Sequence, residues 1–413
     1  MTLDTEEPLA GSSIDAEEPL AGSSIDTEAV RRDTPGCAHR NHLNNAGASL
    51  MPAPVLAAVT SHLAREAEIG GYEAKDEAAD RVAAVYESLA RLVGGRPEEI
   101  ALLENATRAW EAIFYSLRLR PGDRILTGRA EYGSNVLAYL QVAKRTGAEV
   151  VVVPNDEHGQ LDVDRLGELV DERTKLIGVS HVPTNGGLVN PAERIGAVAR
   201  AAGVPFLLDA CQSIGQFPVD VAAVGCDFLT ATGRKFLRGP RGTGFLYCRQ
   251  EALELLDPWV VEIRTADWTG GQDFAFVDGA QRFETWENSY ANQLGLGAAV
   301  DYALAIGLAT IGERTNHLGA LLRDLLDTID GVRTHDLGER RCAIVTASVH
   351  GHPSAEVAKV LASRGINVSL TDPHHNQFDE RRLSPTVRLS PHYFNTEREL
   401  HAAADLFAEL AAG

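Results

Sequence analysis

Residues 227–245 read Asp227-Phe228-Leu229-Thr230-Ala231-Thr232-Gly233-Arg234-Lys235-Phe236-Leu237-Arg238-Gly239-Pro240-Arg241-Gly242-Thr243-Gly244-Phe245. The short apolar run Phe228 to Ala231 predicts a buried strand. The glycines and the proline that follow forbid a continued helix or strand. Lys235 is therefore placed at a strand end, on a loop of small and cationic residues. A lysine held there is suited to covalent chemistry with a carbonyl. Desolvation and the neighbouring Arg234 lower its pKa from the free value of about 10.4 and free the amine. Taken alone, the stretch favours a surface lysine in a basic turn.

A second apolar strand, Phe206-Leu207-Leu208, ends in Asp209-Ala210-Cys211-Gln212-Ser213. A carboxylate at the end of a buried strand is costly unless it meets a positive partner. Two partners remain open: Lys235 itself, or a protonated pyridine ring. Around these two motifs, Ile100–Leu103, Ile125–Leu126, Glu149–Val153, Lys175–Ser180 and Pro205–Asp209 are further apolar runs, separated by helical patterns. Such alternation predicts an α/β fold with a mainly parallel sheet. Ligands of such sheets bind at the C-terminal ends of the strands. Thr107, Tyr132, Thr184, Asp209 and Lys235 all fall there.

Asp209-x-x-Gln212, followed after about two dozen residues by Thr232-x-Arg234-Lys235 and a Gly-Pro-x-Gly-x-Gly run, resembles the class V, cysteine-desulfurase-like branch of the fold-type I pyridoxal phosphate enzymes. The likeness runs, with gaps, from about Asn44 to the C-terminus. Within it, Glu66-Ala67-Glu68-Ile69-Gly70-Gly71-Tyr72 resembles an element of hercynylcysteine sulfoxide lyases, and the chain also resembles the pyridoxal phosphate enzymes of lincosamide biosynthesis. The resemblance implies a large domain with a seven-stranded type of sheet flanked by helices, a small α+β C-terminal domain, and a homodimer. It divides the chain into an acidic tail or arm over 1–40, a cofactor-binding domain over 41–310 whose N-terminal segment joins the small domain, and a small domain over 311–413.

The resemblance also assigns roles. Lys235 attaches the cofactor and serves as general base, Asp209 keeps the pyridine nitrogen protonated, and Tyr132 stands where relatives stack a histidine on the ring. Ala106, Thr107 and the N–H of Arg108 cradle the phosphate at a helix start, where a plain N-cap at Asn105 is the alternative. Gln212, Thr184, Thr232 and Arg234 complete the cofactor set, and Thr285 is the residue expected to reach across the dimer interface. Arg388 grips the substrate carboxylate with its planar fork, and Asn45, Tyr72 and His375 border the substrate. His181 is expected in the core. The loop Leu370 to Phe378 holds no cysteine, whereas desulfurases carry their persulfide there. The expected reaction is therefore β-elimination from an S-substituted cysteine, in sulfur or antibiotic metabolism. Epimerisation, oxidative or decarboxylative conversion to an aldehyde, and a cofactor-free, non-catalytic homologue remain open.

Composition narrows the classes. The chain has 413 residues, 44% hydrophobic and 23% charged, with 38 basic and 58 acidic residues and a net charge of −20. An acidic surface excludes a nucleic-acid binder, which needs a basic face. No apolar run is of membrane-spanning length, and no basic-then-apolar export signal opens the chain, so a cytoplasmic location is expected. The five cysteines are scattered without metal-ligand spacing, which predicts reduced thiols and no metal. Residues 1–28 contain an acidic repeat of eleven residues, Glu6 to Asp15 recurring at Glu17 to Asp26. This segment cannot bury enough apolar surface to offset its ordering entropy, and is expected as a disordered tail or as an arm on a partner.

Overall fold

Seven apolar runs pair edge to edge in the computed structural model, which describes residues 25–381 and 383–413. In chain order they are β1 (Ile100–Leu103), β2 (Arg124–Gly128), β3 (Glu149–Val153), β4 (Thr174–Ser180), β5 (Phe206–Asp209), β6 (Phe228–Thr232) and β7 (Gly244–Cys248). Their order across the sheet is β1-β7-β6-β5-β4-β2-β3. Strands β3, β2, β4, β5 and β6 run parallel. Strand β7 is antiparallel to both β6 and β1. Every residue of β5, β6 and β7 is buried, as expected of strands covered on both faces.

Register places the functional residues on one edge. Ser180 pairs with Asp209, Asp209 with Thr230, and Thr232 with Gly244, which also faces Leu103. The chain leaves β1 there and enters the helix Ala106–Phe114. Gly244 is what lets that helix start so close: a Cβ on it would lie 2.5 Å from the Asn105 carbonyl carbon and 2.7 Å from the Ala106 nitrogen.

A second sheet of four strands has the order Val332–Thr334, Val345–Val349, Val387–Leu389, Ser369–Leu370, all antiparallel. Its own core gathers Leu318, Leu322, Val357, Leu400 and Phe407 from the helices packed on it. Asn41–His42 pairs with Ile366–Asn367, and Asn44 bridges to Ser390, so the beginning of the folded body is stitched to the C-terminal sheet. Helix Tyr290–Ile306 packs on helices Ala53–Ile69 and Ala79–Val93.

Several expectations need correction. Most of the acidic repeat, residues 1–24, lies outside the described residues. Residues 25–40, expected as the end of a tail or arm, are folded onto the body. Thr27–Arg32 is a helix capped by Asp26, and its Arg31 meets the Phe394 carbonyl and Glu399. Val30 supplies the apolar contact and Thr34 is fully buried. The helix break read at Glu66–Tyr72 is confined to Gly70, whose φ of 105° suits glycine alone. The chain resumes a helix over Gly71–Glu77. Strand β7 and the hairpin Ala266–Gly270/Asp273–Phe276 were not expected. Among the described residues no single helix is long and apolar enough to cross a membrane.

Candidate active site

A cavity of about 420 Å³ opens at the strand-tip edge. Lys235, Asp209, Gln212, Thr232, Arg234 and Tyr132 line it together with Thr184 and the helix start Ala106-Thr107-Arg108. Most of the residues expected at the cofactor thus converge from five separate strand ends.

Lys235 and Asp209 do not pair with each other. Asp209 Oδ2 accepts from Asn135 Nδ2 at 3.0 Å, and Oδ1 accepts from the Cys211 N–H at 3.0 Å. Lys235 is only 9% exposed. Its burial pushes the ammonium down from its ordinary value; Arg234 and Arg388 add to this, while Cys211 and Asp209 oppose it. A buried lysine biased toward the neutral amine is a nucleophile and a base.

Behind Asp209 stands a second buried carboxylate, which no local pattern marks as functional. Glu131 Oε1 accepts from the Tyr132 N–H at 2.7 Å, from Asn135 Nδ2 at 3.0 Å and from the Ser180 hydroxyl. Its Oε2 accepts from the Ser180 N–H and from Thr127 Oγ1, both at 3.1 Å. Burial, assisted by Asp209, pushes the Glu131 carboxyl up to about 7, against the pull of these donors. Asn135 spends both amide hydrogens on carboxylates, one on Glu131 and one on Asp209. The spacing of Glu131 and Asn135, four apart across a helix start, was the available signal.

The phosphate cradle differs from expectation at one atom. The Arg108 N–H is taken by the side chain of Asn105, the N-cap, at 3.0 Å. The Arg108 side chain leaves the helix start, pairs with Glu111 at 2.9 Å and lies over Trp259. The free N–H groups at this end belong to the residues before it, Ala106 and Thr107. Thr232 donates its hydroxyl to the Thr243 carbonyl at 3.1 Å. Arg234 reaches the Gly47 carbonyl, which ties the lysine loop to the N-terminal segment.

Arg388 is 8% exposed and does not itself line the cavity; it lies behind Thr184, which does. It donates to the Thr184 carbonyl at 2.8 Å, to Thr184 Oγ1 at 2.7 Å and to Ser369 Oγ at 3.0 Å. None of these partners is an anion. Burial, with Arg234 adding, pushes the guanidinium down to about 10. A buried cation without a counter-ion is a ready site for a carboxylate.

Besides Arg388, four expected residues do not line this cavity. Asn45 is spent structurally: its amide donates to the His42 and Ser390 carbonyls at 3.2 and 2.8 Å and accepts from Ser49 Oγ at 2.6 Å. Tyr72 is 70% exposed and lines a different cavity, beside Trp286 and Tyr290. Thr285 lines a small cleft with Arg108 and Trp259. His375 is exposed, 3.6 Å from Asp372, although its backbone carbonyl abuts Gly133 next to Tyr132. His181 is a core residue as read, bonded to Ser213 Oγ at 3.1 Å and held neutral by burial at about 3. Cys211, quoted in the strand-end motif without a role, lines the cavity, and burial pushes its thiol up.

The family model described as "Aminotransferase class-V" matches residues 41–402. A "Probable cysteine desulfurase" of Methanothermobacter thermautotrophicus is 30% identical over 393 residues, covering 93% of this chain and 98% of its own. One of Synechocystis sp. is 32% identical over 388 residues, with 89% of each chain covered. The solved apo cysteine desulfurase of Thermococcus onnurineus NA1 superposes with a TM-score of 0.86 at 26% identity, covering 94% of this chain and 98% of its own.

Proposed function

The chain belongs to the class V aminotransferase family, and we propose that it is a pyridoxal phosphate-dependent lyase that breaks the C–S bond of an S-substituted cysteine. The observation that carries this reading is the convergence of Lys235 and Asp209 on one cavity without pairing with each other. The donor set fits the cofactor. Lys235 offers a buried amine, Asp209 a carboxylate for the ring nitrogen, and the N–H groups of Ala106 and Thr107 a helix start for the phosphate. Gln212 Oε1 is buried without a partner on the wall of the same cavity. Bound there, pyridoxal phosphate supplies a ring that accepts the electron pair left when the α-proton is removed.

The remaining work falls to the chain. Arg388 anchors the substrate carboxylate through Nη2, which its bonds to Ser369 and Thr184 leave available. Lys235 Nζ takes the α-proton as general base. Tyr132 covers a ring face in place of the histidine of relatives. The thiolate departs from Cβ with the electrons of the C–S bond, and the three-carbon remainder ends, after hydrolysis, as pyruvate and ammonia. Thr285, which lines a cleft away from its own cavity, is read as reaching toward a second copy's phosphate. The working unit is then a homodimer, located in the cytoplasm.

A second reading, cysteine desulfuration, is favoured by the relatives' printed names. Against it stands the loop Leu370 to Phe378, which carries no cysteine to take the sulfur. Incubating the cofactor-loaded protein with cysteine and with S-methylcysteine separates the two. Pyruvate, ammonia and methanethiol in equal amounts are expected from S-methylcysteine. Alanine from cysteine, its sulfur recovered as sulfide when a dithiol reductant is added, with no pyruvate from S-methylcysteine, would select the desulfurase reading.

A further inference from the structure

A second cavity of about 310 Å³ opens beside the first, on the same edge of the central sheet. Three strand ends build it: Arg129 follows β2, Asn155 follows β3 and Asn185 follows β4. This is the edge on which parallel sheets bind ligands. The two cavities share walls. After β4, Val182 and Thr184 face the first cavity while Pro183 and Asn185 face the second. After β2, Arg129 and Ala130 line the second and Tyr132 lines the first. The outer wall is the segment 372–381, seated by the His375 carbonyl against Gly133 and by Asn185 Nδ2 donating to the Asp372 carbonyl at 3.5 Å.

The lining selects a chemistry. Arg129 pairs with Glu380 and Arg381 with Asp379, so the charges on the wall cancel. A charged ligand group would have to break one of these pairs. Leu188 and Leu337 give an apolar side. Asn376, on the outer wall, is 9% exposed, and its Oδ1 has no hydrogen-bond partner among the described residues. A buried amide left unpaired is costly, and a ligand that hydrogen-bonds the Asn376 side chain removes that cost. The volume holds about ten water-sized groups.

We propose that this second cavity is the subsite for the distal substituent of the substrate, and that it takes an uncharged group bearing a hydroxyl or amide, which hydrogen-bonds the side-chain amide of Asn376. The proposal rests on the C–S lyase reading. The substrate then lies across the 182–186 segment, with its amino-acid end at Arg388 and its sulfur substituent beyond Thr184.

Pyruvate release by the cofactor-loaded protein tests it, with S-methyl-, S-(2-hydroxyethyl)-, S-(carbamoylmethyl)- and S-(carboxymethyl)cysteine compared by kcat/KM. The hydroxyethyl and carbamoylmethyl compounds are expected to exceed the methyl compound about tenfold, with the carboxymethyl compound below them. In Asn376→Ala that ratio falls toward one. Asn376→Asp, which places an anion on the wall, moves the preference to S-(2-aminoethyl)cysteine. Equal kcat/KM for methyl and hydroxyethyl compounds in the native protein would overturn the subsite, as would a preference that survives Asn376→Ala. Alanine from cysteine, its sulfur recovered as sulfide when a dithiol reductant is added, with no pyruvate from any S-substituted compound, would overturn the lyase reading itself and the subsite with it.

Discussion

Asp209 accepts an N–H on each oxygen, and one of those donors, Asn135, is oriented by Glu131. An asparagine amide can present either its oxygen or its nitrogen. The carboxylate of Glu131 requires the nitrogen, so Asp209 meets a donor and stays an acceptor. Above about pH 7 Glu131 also adds a second negative charge behind the acid end of the cavity. In Glu131→Gln one negative charge is lost, and any proton held on the lysine-bound cofactor is held less tightly. The pH midpoint of its visible absorption band should move downward and kcat fall about tenfold, an effect of roughly 1.4 kcal/mol. A lower melting temperature with an unchanged spectral titration would make Glu131 merely structural. At Lys235 the expectation is absolute: Lys235→Ala loses the visible band, and an unaltered spectrum would remove this residue from the chemistry. Arg388→Ala removes a charge-assisted contact worth about 2–3 kcal/mol, so KM for amino-acid substrates should rise on the order of 100-fold with cofactor content retained. Arg388→Lys restores little, since a point charge cannot replace the fork. Equal loss of cofactor in Arg388→Ala would show that Arg388 holds the fold instead.

The loop after β6 is held by a residue of the opening stretch that its local reading could not explain. Arg238 has a φ of 63° and is 1% exposed. Its guanidinium donates to the Leu50 carbonyl at 2.9 Å, to Tyr393 OH at 2.7 Å and to Thr34 Oγ1 at 2.6 Å, and it lies 4.6 Å from the Phe394 ring centre. Its N–H donates to the Lys235 carbonyl, so the clamp fixes the catalytic turn itself. Arg238→Ala removes the donor to the Leu50 carbonyl, Tyr393 OH and Thr34 Oγ1, of which Thr34 keeps its bond to the Val30 carbonyl, and should cost about 3 kcal/mol in urea unfolding. A loss below about 1 kcal/mol would show that the clamp is dispensable. The partners of Arg238 lie far away along the chain, and that marks where the sequence stops being legible. Strands such as Glu149–Val153 announce themselves as apolar runs between breakers, and helix Ala106–Phe114 follows from a strand end and a capping residue. Strand β7 went unread because its Phe245-Leu246-Tyr247-Cys248 run abuts glycines that dominated the local pattern. Asn45 was read as facing a ligand because small and amide residues suit a loop. Only the bridge from Asn44 to Ser390 shows that its amide is used up in joining the two ends of the folded body.

Across the whole molecule, buried titratable groups set the response to acid. His181 is held neutral at about 3, His392 well below its ordinary value, and His42 below it, in each case chiefly by burial. Unfolded, each takes up a proton below about pH 6.5, so the unfolded chain binds more protons and stability falls as pH drops through that value. Glu131 and Glu284 act in the opposite sense. Burial raises both carboxyls, so the folded chain binds protons first and gains stability as pH falls toward the unfolded value near 4.5, for Glu131 from about pH 7. That gain is complete once the unfolded carboxyls are also protonated, whereas His181 and His392 go on losing, each by roughly 1.4 kcal/mol per pH unit. Glu397, held down at about 2 chiefly by its bond to Arg314, adds a loss that begins below its unfolded value. The melting temperature should therefore change little between pH 7 and 5 and then fall steeply below about 4.5. His392 Nε2–H donates to the Phe236 carbonyl, 2.7 Å away, beside the lysine loop. A His392→Gln variant keeps a donor there but cannot charge, so its melting temperature should be lower near pH 7 and its acid limb shallower than that of the native chain. Parallel acid limbs for the two proteins would show that buried histidines do not drive the acid transition.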